Sequence, residues 1–254
     1  GGTTFTGFDR DGTDLDIGFG NSNKSSLGTA DIFFVLGATK ATKKVYKVAN
    51  CCVNEASLEF DIDGIATIAW SGMATIITDE TSAPVATITE GTGVNDTGNF
   101  IRNRLTSLSL TTAMGGDHPA TYDLVLTGGS VTISNNMTFL TPETLGVVNQ
   151  PLGHVTGSRS VSGSFTCYLN SEDDSSAELF ENIIEDKTTI TNDFTLLFKV
   201  GGTSSPRMEV NLATCHLEVP SHSIDDVISL ETNFHALPST IEGADEITLK
   251  YVGA

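Results

Sequence analysis

Three groups of side chains have types and spacings that chemistry could use. The acidic run Asp9-Arg10-Asp11-Gly12-Thr13-Asp14-Leu15-Asp16 gathers carboxylates as a calcium loop does. Its glycine stands fourth rather than sixth and the distal Glu is missing, so a solvated hairpin turn is expected instead. Asp61 and Asp63 alternate on one strand face and would form an acid/base pair only beside a convergent His or Lys, which the sequence does not offer. The histidines are His118, His154, His216, His222 and His235, with no pair at helical ligand spacing. His216 and His222 fall on or beside one strand and are expected to share a face. That face suits a metal ring at an oligomer axis or, more simply, surface or interface histidines.

Nothing else in the chain carries a reaction. Gly-x-Ser-x-Gly and phosphate-loop patterns are missing, no cofactor-binding fingerprint is present, and Cys51, Cys52, Cys167 and Cys215 form no zinc-type pair. Buried thiols, in a chain made in a reducing compartment, are the expectation. With 13 Lys and Arg against 32 Asp and Glu, the net charge of −19 removes the phosphate-neutralising surface that nucleic-acid affinity needs. The chain is not expected to grip DNA, although a channel that conducts a polyanion benefits from walls to which it does not stick. No apolar run is long enough for a membrane-spanning helix, so no membrane partner is expected.

The elements that must position these residues are mostly strands. Period-2 alternation runs through Ala56 to Ile62, Val131 to Phe139, Val161 to Leu169 and Val210 to Val219, which predicts a mainly β, largely antiparallel fold. Gly20-Asn21-Ser22-Asn23, Gly115-Gly116-Asp117, Thr127-Gly128-Gly129 and Gly201 to Pro206 read as turns. One amphipathic helix is predicted over residues 175–186, with Asp173 and Asp174 in its first turn and Leu179, Phe180, Ile183 and Ile184 on its apolar face. Trp70 ends an apolar strand and is expected in the core or between subunits.

Two segments resemble each other. Asp31 to Gly72 parallels Asp193 to Ala236, with Gly37 matching Gly201 and Ala49-x-Cys51 matching Ala213-x-Cys215. The polar, Gly-rich stretch from Ser82 to Gly98 then divides the chain into a first domain over residues 1–97 and a second over 98–254. About ninety residues precede the repeated segment in the second copy and only about thirty in the first. The first domain is therefore expected to lack its N-terminal half, and the natural polypeptide to extend upstream by about ninety residues.

Several stretches resemble the tail tube proteins of siphophages in the T-five group. They are Phe100-Ile101-Arg102-Asn103-Arg104-Leu105-Thr106, the run from Leu126 through Thr127-Gly128-Gly129 to Thr141-Pro142, and Ser162 to Asn170. Ile68-Ala69-Trp70-Ser71-Gly72 and Phe234-His235-Ala236-Leu237-Pro238-Ser239 add to them. The resemblance implies two tandem β-sandwich or barrel domains, the second with one short flanking helix. It implies a structural, non-enzymatic virion protein without cofactor or metal, assembled in the host bacterial cytoplasm into trimeric, pseudo-hexameric rings that stack as a helical tube. Implied partners are further copies of the chain, the tape measure, terminator and baseplate proteins, and double-stranded DNA that passes through the lumen without specific binding. A β-rich surface or adhesin-like module is the competing reading, and a β-rich hydrolase a third.

If the resemblance holds, the wet strand faces are candidates for the lumen wall. From Glu55 to Asp63 the chain alternates, with Glu55, Ser57, Glu59, Asp61 and Asp63 on one side and Ala56, Leu58, Phe60 and Ile62 expected in the core. Thr132, Ser134 and Asn136 oppose Val131 and Ile133, and Ser160, Ser162, Ser164 and Thr166 oppose Val161, Phe165, Cys167 and Leu169. These faces carry acids and hydroxyls and no Lys or Arg.

Overall fold

Alternating apolar and polar side chains become strand along most of the chain. The computed structural model describes residues 8–11, 14–18, 28–36, 44–80, 101–112, 118–141, 151–185, 194–224, 227–241 and 243–253. Its first strands are β1 (Phe8–Asp11), β2 (Asp14–Gly18), β3 (Ala30–Leu36), β4 (Lys44–Phe60), β5 (Thr67–Met73) and β6 (Ile76–Glu80). After a 3-10 turn at Asn103–Leu105 come β7 (Ser107–Thr112), β8 (Thr121–Asp123), β9 (Leu126–Ser134), β10 (Thr138–Leu140), β11 (Gly153–Val155) and β12 (Ser160–Tyr168). The helix α1 (Ser176–Glu185) follows, then β13 (Phe194–Val200), β14 (Arg207–Leu217), β15 (Ser221–Ile224), β16 (Ile228–Ala236) and β17 (Thr248–Val252). The predicted linker at 82–98 and the turns at 20–23 and 115–117 lie outside the described residues.

The strands stack as two layers that do not close into a barrel. One layer runs β8-β7-β13-β14-β17-β2-β1 and the other β16-β12-β9-β4-β5. They join at β14, whose Arg207–Asn211 stretch pairs with β17 and whose Cys215–Leu217 stretch pairs with β16. The 17-residue β4 is long enough to serve two places. Its Lys44–Cys51 part lies between β3 and β6, and its Cys52–Phe60 part enters the second layer beside β9.

Packing between the layers centres on aromatic rings. Phe198 of β13 meets Phe60 of β4 at 5.3 Å and Phe234 of β16 at 5.9 Å between centroids, and all three are buried. Leu179 and Ile183 bring the helix onto the same core. The helix start is fixed to the end of β12: the Ser176 hydroxyl donates to the Tyr168 carbonyl and accepts from the Asn170 amide, at 2.9 and 2.8 Å. Ser175 supplies the first helical carbonyl, to Leu179, and Glu178 reaches back to the Asp174 amide. Arg159 and Glu246, both buried, form a two-toothed ion pair at 3.0 and 2.8 Å that ties the loop before β17 to the start of β12.

Several sequence expectations need correction. Thr127-Gly128-Gly129 is not a turn but part of β9, because a Cβ on Gly129 would sit 2.5 Å from the Ser164 carbonyl and 2.9 Å from the Phe60 ring. Glycine there lets neighbouring strand and ring close in. β4 ends at Phe60, so Ile62 falls in the following bend and is 47% exposed rather than core. Likewise the Val131–Phe139 run breaks at Asn136, whose positive φ of 47° separates β9 from β10. The acidic run near the start pairs as a hairpin, with Asp11 opposite Asp14.

Burial pushes the Cys167 thiol up to about 11 and Cys215 up to about 12. A folded-state value above the ordinary one near 9 means that the thiols stabilise the fold fully at neutral pH. That contribution is lost as pH rises from 9 through 11 and 12, the interval in which the unfolded chain ionises ahead of the folded one. The urea midpoint should hold level from neutral pH to about 9 and then fall. In parallel, iodoacetamide at pH 8 should label Cys167 and Cys215 only after denaturation; labelling of the folded protein at the unfolded rate would contradict this burial.

Candidate functional site

The strand registers bring the polar residues of four separate sequence segments onto one sheet face. Across the second layer, Ser71, Glu55, Ser134 and Ser160 form one row. Ala69, Ser57, Thr132, Ser162, His235 and His216 form the next. Thr67, Glu59, Ser130, Ser164 and Asn233 form a third, and Thr166, Glu231 and Ser221 continue the pattern. Period-2 pleating makes this automatic once the register is set, since Leu58, Val131, Phe165 and Leu230 fill the other side. None of these rows contains Lys or Arg.

Hydroxyls bridge the strands within the face, as between Ser57 Oγ and Thr132 Oγ1 at 3.2 Å. At one end an open depression of 550 Å³ is lined by Glu59, Asp61, Asp63, Asn103, Ser164 and Thr166 among others. Asp61 and Asp63 stand at its rim, beyond the end of β4, and are exposed. Asn136 is likewise off the rows: its amide donates to the Ser158 carbonyl at 2.7 Å and it accepts from Ser134 Oγ at 3.3 Å, so it fixes the end of the face.

Sequence reading missed His216, His235, Glu218 and Glu231 as members of this face. His216 and His235 are directly opposed on β14 and β16, and Glu218 lies 3.4 Å from His235. The Asn233 amide, and after it His235, hold the Glu218 carboxyl below the usual carboxylate range. His222 does not share a face with His216. It pairs with core-side Leu230 and packs edge-on against Phe180 of the helix at 4.4 Å, because the chain shifts register between Leu217 and Ser221. Asn103 was also missed; it is buried, its Nδ2 donates to Asp61 Oδ1 at 3.4 Å, and its backbone amide donates to the Gly64 carbonyl.

A second feature has the look of chemistry. Cys52 Sγ lies 3.7 Å from His154 Nε2, a contact between residues too far apart in sequence for any motif. Cys52 is buried and burial pushes its thiol up, away from the thiolate a nucleophile needs. The pair serves to seat the β10–β11 hairpin on β4, with Phe139 stacked on the imidazole. Among the described residues no group of three His, Cys, Asp or Glu is placed to hold a metal ion.

The described residues thus present a wide polar sheet face and no group of three His, Cys, Asp or Glu side chains placed to hold a metal ion. A family model described as phage tail tube protein matches residues 1–248. The chain belongs to the phage tail tube protein family. Tail tube protein pb6 of Escherichia phage T5 is 28% identical over 248 residues, which is 95% of this chain and 52% of that protein. The chain therefore spans about half the length of the relative it matches. Tail tube proteins are structural rather than enzymatic. The apolar residues left exposed on such a protein, Phe34 and Trp70 among them, call for an explanation in assembly rather than catalysis.

Proposed function

We propose that the chain is a subunit of a phage tail tube, located in the virion tail, and that the polar face of its second layer lines the conduit through which double-stranded DNA leaves. The observation that carries this is the continuous acid and hydroxyl surface across β5, β4, β9, β12 and β16, without a cation in its rows. Phosphates meet hydration and weak repulsion there, not ion pairs, so DNA slides. Of the sequence candidates, Glu55, Ser57, Glu59, Thr132, Ser134, Ser160, Ser162, Ser164 and Thr166 belong to this wall. Asp61, Asp63 and Asn136 edge it, and Glu231, His216 and His235 join it.

Pairing registers support two tandem copies of one unit. A constant step of 164, as from Cys51 to Cys215, carries every β3–β4 pair onto a β13–β14 pair, including the bulge after Ala30 and after Phe194. With β5 and β16 offset by 162, as from Met73 to His235, Cys52 opposite Met73 and Val53 opposite Gly72 correspond to His216 opposite His235 and Leu217 opposite Phe234. Lys47 opposite Thr78 corresponds to Asn211 opposite Thr248, which equates β6 with β17. In the second copy the inner face, with Leu196, Phe198, Val210 and Leu212, is fully buried; in the first the matching Ile32, Phe34 and Tyr46 are exposed. An upstream segment of about ninety residues, built like the stretch before β13, is our account of that difference. Intact-mass measurement of the virion protein reads it directly, and a mass equal to 254 residues would dismiss it.

Two units per chain and a six-unit ring require three chains, with true threefold and approximate sixfold symmetry. Electron microscopy of the assembled protein should give stacked rings of three chains. Six chains per ring would overturn the trimer, and a protein that never forms rings or tubes would favour the surface-module reading.

A further inference from the structure

We propose that Cys52, Met73 and His154 form a binding site for a soft monovalent metal ion, Cu(I), which clasps the β10–β11 hairpin onto β4 and β5. Cys52 Sγ and His154 Nε2 lie 3.7 Å apart. Two donors that share one ion, with about 2.3 Å to sulfur and about 2.0–2.1 Å to an imidazole nitrogen, stand about 3.5–3.8 Å apart when the angle at the metal is tetrahedral to trigonal. The contact already has the span of a chelate. Met73 of β5 is the residue directly opposite Cys52 of β4, so both side chains leave the same face of the sheet. Residues so paired hold their Cβ atoms about 4.5–5.5 Å apart, within reach of a methionine with three rotatable bonds. Gly72 permits the approach, since a Cβ there would collide with the Cys52 carbonyl.

The donor set selects the ion. A thiolate with a thioether favours Cu(I), whereas Ca(II) and Mg(II) take oxygen ligands. Among the described residues no third His, Cys, Asp or Glu joins the Cys52–His154 pair, so the donors with which zinc closes a four-coordinate site are not there. The thioether is what remains. His154 is oriented for the task, because it stands opposite Phe139 in the hairpin and the two rings stack at 6.3 Å between centroids. Cys52 is 1% exposed and Met73 50%, so the thiol lies inside and the thioether on the side of entry. The neighbouring Cys51 belongs to the other face of β4 and donates its thiol to the Val48 carbonyl at 3.2 Å. Burial keeps the Cys52 thiol protonated at neutral pH. Binding is therefore an exchange: the thiol proton goes to solvent, the sulfur takes the ion, and no electron moves. The site does not depend on the tube reading.

The test is anaerobic titration of the purified chain with Cu(I) buffered by bicinchoninate, with native mass spectrometry counting the ions bound. The wild type should take up one ion per chain, release one proton, and bind about tenfold more weakly for each unit by which the pH falls. Cys52→Ser should abolish uptake, and His154→Gln and Met73→Leu should each weaken it by about tenfold or more, while Cys51→Ser leaves it unchanged. Melting of each variant without the ion, compared with the wild type, shows that it has folded. Hydrogen exchange reads the clasp itself: the amides of Thr138–Leu140 and Gly153–Val155 should exchange at least about tenfold more slowly with the ion bound. Uptake that survives Cys52→Ser, or that is lost with Cys51→Ser, overturns the site. So does a preference for Zn(II) over Cu(I), or binding that leaves the hairpin amides exchanging as before. Should Cys52→Ser not fold, His154→Gln and Met73→Leu decide, and full affinity in both discards the proposal.

Discussion

Replacing Phe60 by Ala should lower stability by about 3–5 kcal/mol and do so in a single unfolding transition. Phe60 falls in the first of the two proposed copies, yet its ring lies against Phe198 of the proposed second copy and beneath Gly129, where a Cβ would come within 2.9 Å of it. The Cys52–Phe60 stretch is thus a strand of the layer that packs on β13, and on the two-copy proposal it completes the second copy's sandwich. Removing the ring leaves a cavity that Phe198 and Phe234 cannot collapse into without breaking their contact with each other. A matched control is Phe34→Ala, at the equivalent place to Phe198 but on the exposed face, which should cost less than about 1 kcal/mol. Urea denaturation followed by tryptophan fluorescence, with Trp70 on β5 reporting on the first copy, and by circular dichroism measures both. Loss of β4 to β6 in a separate early transition, or a Phe60 effect no larger than that of Phe34, would show that the two copies are energetically independent.

That coupling is the part of the fold the sequence does not display. Strand existence and facing were legible because alternation is local: Leu58 and Phe60 are buried and Glu55 and Glu59 exposed, as the pattern requires. The helix was legible for the same reason, its ends set by Ser176 and Glu185. Which strand lies beside which is not local. Nothing in Glu55–Phe60 names Gly129–Ser134 as its neighbour, and the glycines that allow the approach look from the sequence like a turn. Ile62 was misplaced because the alternation continues on paper past the point where the strand ends. The histidine face was misread because one register shift after Leu217, invisible in composition, takes His222 off the face of His216, whose partner across the strands is His235.

Register also decides which charges to reverse in a test of the wall. Glu55, Glu59 and Glu231 sit on strands within the polar rows, whereas Asp61 stands just past the end of β4 at the rim, so the informative triple is Glu55→Lys, Glu59→Lys and Glu231→Lys. Each change is on an exposed side chain facing away from the core, and a surface substitution of this kind should cost within about 0.5 kcal/mol of folding stability. What changes is the encounter with phosphate. Three new ammonium groups per chain, repeated around and along a tube, give a passing duplex ion pairs that release counterions and must be broken for every step of movement. Genome ejection should therefore slow by about tenfold or more at low salt and recover toward the unmutated rate as ionic strength rises and shortens the screening length. Charge-neutral Gln at the same three positions separates attraction from loss of repulsion: it should leave ejection within about twofold of the parent, because hydration of the hydroxyl rows remains. In vitro ejection from purified virions, followed by dye uptake on the released DNA, reads the rate directly. Tubes that assemble with all three lysines and eject at the parental rate in low salt would place this face on the outside of the tube, and the conduit would then have to be sought on the opposite layer.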